Sequence, residues 1–142
     1  MATRSRIGLE LKNGSIVSVY HHWDGYPEWL GRILNTHYNT RAKVAELIDG
    51  GDMSSCWTED RFSVDPTHGW KVQEYGPQYY SHRGEECPPR HDQDLCEYFL
   101  PNNSEEFAYV FSNNEWVCYN MHQYEDSKLP EIVEIPSGAL AV

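Results

Sequence analysis

Along the first stretch of the chain Ile7, Leu9 and Leu11 alternate with Gly8, Glu10 and Lys12, the period-two pattern of a half-buried strand. After Asn13-Gly14 a second apolar run from Ile16 to Tyr20 leads into His21 and His22. Asn-Gly between two such runs predicts a hairpin with a two-residue loop, because a type I′ turn needs positive φ at both central positions. That loop sets Leu11 opposite Ile16, Leu9 opposite Ser18, Ile7 opposite Tyr20 and Arg6 opposite His21. His21 and His22 then leave opposite faces of the sheet, so a regular strand cannot offer both to one metal ion.

The period changes after Trp23. Trp29, Leu30, Ile33, Leu34 and Tyr38 recur at helical spacing, with Asp24 placed as N-cap and Pro27 in the first turn. Gly31 inside this helix points to close packing on the sheet. Asn39 or Thr40 caps a second helix over 41–49, buried through Val44, Leu47 and Ile48 and ended by Gly50-Gly51. Arg41 and Lys43 at its start and Asp49 at its end all oppose the helix dipole, which points to tertiary pairing or a partner as their reason.

Residues 50–68 read as a long irregular connection, 69–75 as a strand, 76–91 as a surface loop and 92–100 as a short helix stopped by Pro101. A second hairpin turns at Asn113-Asn114, pairing Phe111 with Trp116, Val110 with Val117 and Tyr109 with Cys118. Its strands are apolar on both faces, so both need cover. Residues 129–135 add an edge strand limited by Pro130 and Pro136. The sum is a single α+β domain over 1–142: an antiparallel sheet built from hairpins, with two consecutive helices packed on one face.

Composition narrows the function. A chain of 142 residues buries a core without metal or disulfide staples. No apolar run is long enough to span a bilayer. No apolar stretch follows the arginines of the first eight residues as in a secretory signal, and the cytoplasm is the expected location. The four cysteines form no Cys-x-x-Cys pair and are expected as free thiols. Charge is the more telling feature: residues 1–50 carry six basic and five acidic side chains, and residues 51–142 carry five basic and seventeen acidic. An acidic half disfavours nucleic acid, whose phosphates need clustered Lys and Arg, and it suits a solvated face or a surface that docks on a basic protein.

Candidate chemistry is sparse. His22, Asp24 and His37 stand near a strand end and a helix start, where they form either a ligand site or a polar network that caps and packs the junction. Cys87, His91 and Cys96 lack the paired knuckles of a structural zinc site, so no metal and no cofactor are expected. Ser54 and Ser55 beside Asp52 have no strained nucleophile elbow around them. Trp57, Phe62, Trp70, Tyr75, Tyr79 and Tyr80 gather in a Gly-, Pro- and acid-rich region and form the preferred contact surface, Tyr and Trp being the usual anchors of protein interfaces.

Ser5-Arg6-Ile7-Gly8, Asn13-Gly14 and Val19-Tyr20-x-His22-Trp23-Asp24-Gly25-Tyr26-Pro27 form a pattern, continued by Gly31, His37-Tyr38, Lys43-Val44, Leu47-Ile48 and Gly51-Asp52-x-Ser54-Ser55. It resembles a family of small tailed-bacteriophage proteins, with phage of cyanobacteria the nearest setting. The resemblance covers residues 4–55, and the chain departs from it at His21, where relatives often carry Cys. It implies a phage-encoded protein in the cytoplasm of an infected bacterium and implies no activity. The expectation is a non-catalytic accessory protein that binds and modulates a host bacterial protein. The alternatives are a small enzyme or a ligand- or metal-binding domain with a site around His22, Asp24 and His37, and an acidic mimic of DNA.

Overall fold

The computed structural model describes residues 3–64, 71–99, 105–121 and 130–136, those at 57–64, 71–76, 78, 82 and 83 through their backbone alone. Strands β1 (Ser5–Glu10) and β2 (Ile16–His21) form the expected hairpin, one residue out of the expected register. The loop has three residues. Leu11 N–H donates to the Ser15 carbonyl at 2.8 Å, Gly14 N–H donates to the Leu11 carbonyl at 3.0 Å, and Gly14 alone takes positive φ, at +85°. Asn13 Oδ1 accepts from Ser15 N–H at 3.0 Å, which spares the asparagine a left-handed backbone and leaves Gly14 to form the bulge.

A one-residue slip moves every β2 side chain to the other face. Ile7 therefore faces Val19, Leu9 faces Val17 and Ser5 faces His21, putting Val19 in the core and Val17 against its edge where the two-residue turn would put Tyr20 and Ser18. Period two is indifferent to register, so the neighbouring imidazoles still part: His21 is fully buried, while His22 is half-buried and bonded to Tyr20 on the other side.

Helix formation starts at Pro27, with extended Tyr26 in the cap position. Asp24 is not the cap; it sits at φ +57° in the turn before, and Gly25 N–H donates to the Thr3 carbonyl at 2.9 Å. A π-helical turn, Pro27–Gly31, runs directly into α1 (Arg32–His37), and Leu30, Ile33 and Leu34 are buried. Gly31 answers to the C-terminal segment, not to the sheet: a Cβ there would lie 2.9 Å from Ile135 Cγ2. Thr40 caps α2 (Arg41–Asp49), accepting from Lys43 N–H at 3.3 Å, and Val44, Leu47 and Ile48 are buried as their spacing predicts. Arg41 finds its reason in the Glu10 carbonyl, 3.0 Å away. Asp49 has no cationic partner among the described residues.

The irregular connection expected over 50–68 contains a long strand instead, β3 (Met53–Val64), paired as a ribbon with β4 (Lys71–Tyr79), which overlaps the strand expected over 69–75. Its register shifts between Met53 and Ser55 and again between Trp57 and Arg61, and such bulges erase the alternation by which a strand is read. The presumed surface loop over 76–91 contributes the end of β4 and the start of β5 (Arg90–Asp92). Asp94 caps α3 (Leu95–Tyr98), accepting from Glu97 N–H at 2.9 Å. The second hairpin, β6 (Phe107–Ser112) and β7 (Glu115–Asn120), has the register read from its sequence, with Asn113 and Asn114 at φ 53° and 64°. Edge strand β8 (Glu131–Val133) pairs with β7.

The sheet order is β4-β3-β2-β1-β6-β7-β8, with β5 also on β2. It is mixed and not purely antiparallel, because β1–β6 and β2–β3 are parallel pairs. α1 and α2 cover one face, as expected, over Ile7, Leu9, Val19, Tyr109 and Phe111. The other face is covered too: Tyr98 and Phe99, at α3, pack on Ile16, Ala108 and Val110. No helix among the described residues is long and apolar enough to cross a membrane.

Tyr109 ties these layers together. It is fully buried, donates its hydroxyl to the Gly25 carbonyl at 2.7 Å, and accepts at its own carbonyl from Tyr98 O–H at 2.8 Å. Tyr109→Phe leaves a buried carbonyl unpaired and should lower the unfolding free energy by about 1–3 kcal/mol. Urea unfolding measures this, and an unchanged midpoint would contradict the assigned bond.

Candidate functional site

One edge of β2 is shared by two strands. β5 pairs with Ile16–Ser18, and β3 meets β2 at His21. Between them the Tyr20 N–H has no strand to donate to, and Asp52 Oδ1 takes it at 2.8 Å. Asp52 is fixed through its own backbone: its N–H donates to the Cys87 carbonyl at 2.8 Å and its carbonyl accepts from Tyr80 N–H at 3.1 Å. Gly51, at φ +87°, makes the crossing feasible, since a Cβ there would collide with the Cys87 carbonyl oxygen. The joint opens into a cleft of about 430 Å³ lined by Arg4, Tyr20, Asp52, Tyr80, Glu85 and Cys87.

Partial burial sets the electrostatics of this cleft. It raises the Asp52 carboxyl above its ordinary range, against the opposing pull of the Tyr20 N–H, Arg6 and Arg90. Burial raises the Tyr20 phenol, with Arg4 opposing. Burial, then the charge of Arg4, lowers His22, so the imidazole is neutral and its Nδ1 suits the Tyr20 O–H 2.7 Å away. Cys87 is raised by burial and by the carboxylates of Asp52 and Glu85, which keeps it a thiol. A nucleophilic cysteine needs the opposite surroundings. On the same face of the sheet Arg6 is buried, donating to Ser18 Oγ at 2.9 Å and pairing with Glu105 at 3.2 Å. The arrangement is equipped to hold a ligand by charge, phenol faces and hydrogen bonds.

The residues singled out in the sequence meet this cleft only in part. His22 reaches it through Tyr20 and stacks edge-on against Trp23, ring centres 4.7 Å apart. Asp24 is half-buried in the following turn, and His37 is exposed in the last turn of α1. No hydrogen bond joins any two of His22, Asp24 and His37. Trp70 lies outside the described residues, as do the side chains of Trp57, Phe62 and Tyr75. Tyr79 serves α2, donating its hydroxyl to the Leu47 carbonyl at 2.6 Å, and Tyr80 lines the cleft. His91 and Cys96 are exposed away from Cys87's cleft, and no cluster of three His, Cys, Asp or Glu among the described residues is placed to hold a metal ion. Ser54 and Ser55 are buried in β3, where the Ser54 carbonyl accepts from Trp23 N–H at 2.9 Å. All four cysteines are free. Arg4, Tyr20 and Asp52 escape a sequence reading because a parallel contact between β2 and β3 brings them together. Gly51-Asp52 after a helix was the single local sign.

Comparison with family models, with curated proteins and with solved structures finds no match to this chain.

His21 stands apart as the one imidazole wholly inside among the described residues. Its Nδ1 lies 3.2 Å from Ser5 Oγ, and its Nε2 has no hydrogen-bond partner. Burial, aided by the neighbouring His22, pushes its pKa down to about 3 from 6.5. Between those two values the unfolded chain binds a proton that the fold excludes, so this contribution to stability is complete above pH 6.5 and is lost as pH falls toward 3. The loss is about 2 kcal/mol at pH 5. Thermal melts from pH 7.5 to 5 should show the wild type losing this increment relative to His21→Leu. Parallel profiles for the two proteins would refute it.

Proposed function

We propose that this chain is a bacteriophage-encoded accessory protein that binds and modulates a host bacterial protein in the infected cytoplasm, without catalysing a reaction. The observation that carries the reading is an aromatic anchor beside an unreactive cleft. Trp23 is 45% exposed and is one of two large hydrophobic side chains so placed among the described residues. It stacks on His22, which bonds Tyr20 at the cleft wall. An exposed Trp rimmed by polar groups is the usual centre of a protein contact. The cleft's own groups favour holding over reacting: Cys87 is a thiol, Tyr20 a neutral phenol, and His22 is already engaged. The excess of seventeen acidic over five basic residues after position 50 gives the partner's sign. A basic protein is steered toward such a surface. The bacteriophage setting rests on the resemblance of residues 4–55.

Capture from a cyanobacterial lysate on the immobilised protein tests the reading. A host protein should be retained at low salt, released at about 0.5 M salt as screening shortens to a few ångströms, and lost with Trp23→Ala. Retention of nothing beyond what a charge-matched acidic control retains would end the proposal.

A further inference from the structure

Three clefts run in series around the end of α2. The first, about 410 Å³, lies between α2 and the end of β4, over Leu47, Pro77 and Tyr79. It shares Asp49 and Gly50 with the second, about 340 Å³, which continues past Ser81 to Pro88 and Pro89. The second shares Cys87 with the Tyr20–Asp52 cleft described above. Shared lining residues set the three clefts side by side around the Gly50-Gly51 turn, as one track of adjacent hollows.

Charge along this track is ordered. Lys43 is the one described cation lining its first cleft, and Arg4 the one lining its last. Glu46 and Asp49 line the first cleft beside Lys43, Asp49 and Glu86 the middle one, and Asp52 and Glu85 the last beside Arg4, and no described lysine or arginine lines the middle cleft. Asp49 closes a helix that has no basic residue in its last turn, so its charge adds to the negative end of the helix dipole. Neither Glu46 nor Asp49 has a cationic partner among the described residues. The apolar floor comes from tyrosine and proline, surfaces on which the stem of a lysine or arginine and a guanidinium plane lie well.

We infer that this track is the docking groove for an extended Lys/Arg-rich segment of the partner protein, a placement that rests on the binding-protein reading above. Charge complementarity selects the occupant. The carboxylates repel a phosphate backbone and attract a cationic side chain at intervals along the track. The serial shape favours an extended chain over a folded knob, and Pro88 and Pro89 offer no backbone N–H, so side chains carry the recognition.

Titration of the ¹⁵N-labelled protein with a short synthetic peptide alternating Arg and Ala, and with its Glu-Ala counterpart, tests the groove. The basic peptide should shift the amides of Glu46, Asp49, Gly51, Glu86 and Cys87, and the acidic one should shift none. Glu46→Gln/Asp49→Asn should weaken the basic peptide by about tenfold. Glu115→Gln/Glu131→Gln removes the same charge at exposed positions on β7 and β8, away from the track, and should change affinity less than about twofold. Equal weakening by both pairs, or shifts spread over the acidic surface, would reduce the effect to net charge and overturn the groove. Capture of a host protein undiminished by Glu46→Gln/Asp49→Asn would overturn the groove and leave the binding reading standing. Failure to capture any host protein would remove both.

Discussion

A single extra residue in the first turn governs what this sheet can bury. With Gly14 forming the bulge, Val17, Val19 and His21 share the face of Ile7 and Leu9, beneath α1 and α2. With a two-residue turn that face would receive Ile16, Ser18 and Tyr20 and would surrender both valines to the opposite side. The observed register buries Val19 fully and Val17 in part on this face while Ile16 is buried on the other. It also keeps the Ser18 hydroxyl and the Tyr20 phenol out from under the helices, and together these outweigh the preference of Asn-Gly for one turn over another. The hydrophobic requirement of the helices therefore sets the register, and the turn accommodates it through the one residue free to take positive φ. Everything on the far face follows. Tyr20 is turned toward Asp52, and Arg6 toward Ser18 and Glu105.

That dependence explains which parts were legible in the sequence. The second hairpin could be read to the residue because Asn113-Asn114 supports its turn unaided and the pairs on both faces are apolar, so no competing register gains anything. The first hairpin was found, but its register hung on helices that a strand pattern does not contain. Both helices could be located from their spacing, although Asp24 proved to be a turn residue and Tyr26 the cap. β4 was read in part, as a strand over 69–75, whereas β3 and its pairing were missed, since the ribbon's bulges break the alternation that would announce it. As for the site, proximity along the chain suggested His22, Asp24 and His37. The fold assembles Tyr20 with Asp52 instead, thirty-two residues apart, through a contact with no local signature.

The cleft and the core treat their titratable groups alike, and the shared cause is incomplete solvation. Cys56 and Cys118 are pushed up to about 12 by burial, as inert thiols should be. Cys87 and Asp52 move in the same direction at the surface because the joint between residues 51–52, 80 and 87 partly shields them. The net shift of Asp52, Tyr20, His22 and Cys87 favours the uncharged species in each case, which fits the proposed binding role. The exposed carboxylates around the cleft would supply a long-range field for such a partner.

The parallel pairing of β1 with β6 bears on how the molecule comes into being. Ser5 lies beside Phe107 and Leu9 beside Phe111, so the central strand waits for a neighbour made about a hundred residues later. Closing so long a loop is entropically slow, and contacts of this range lower folding rates. Until the chain passes residue 111, Ile7 and Leu9 have β2, α1 and α2 for company and an open edge on the other side. A nascent chain in that state exposes a strand that other nascent chains can pair with, which makes assembly during translation a moment of vulnerability to aggregation.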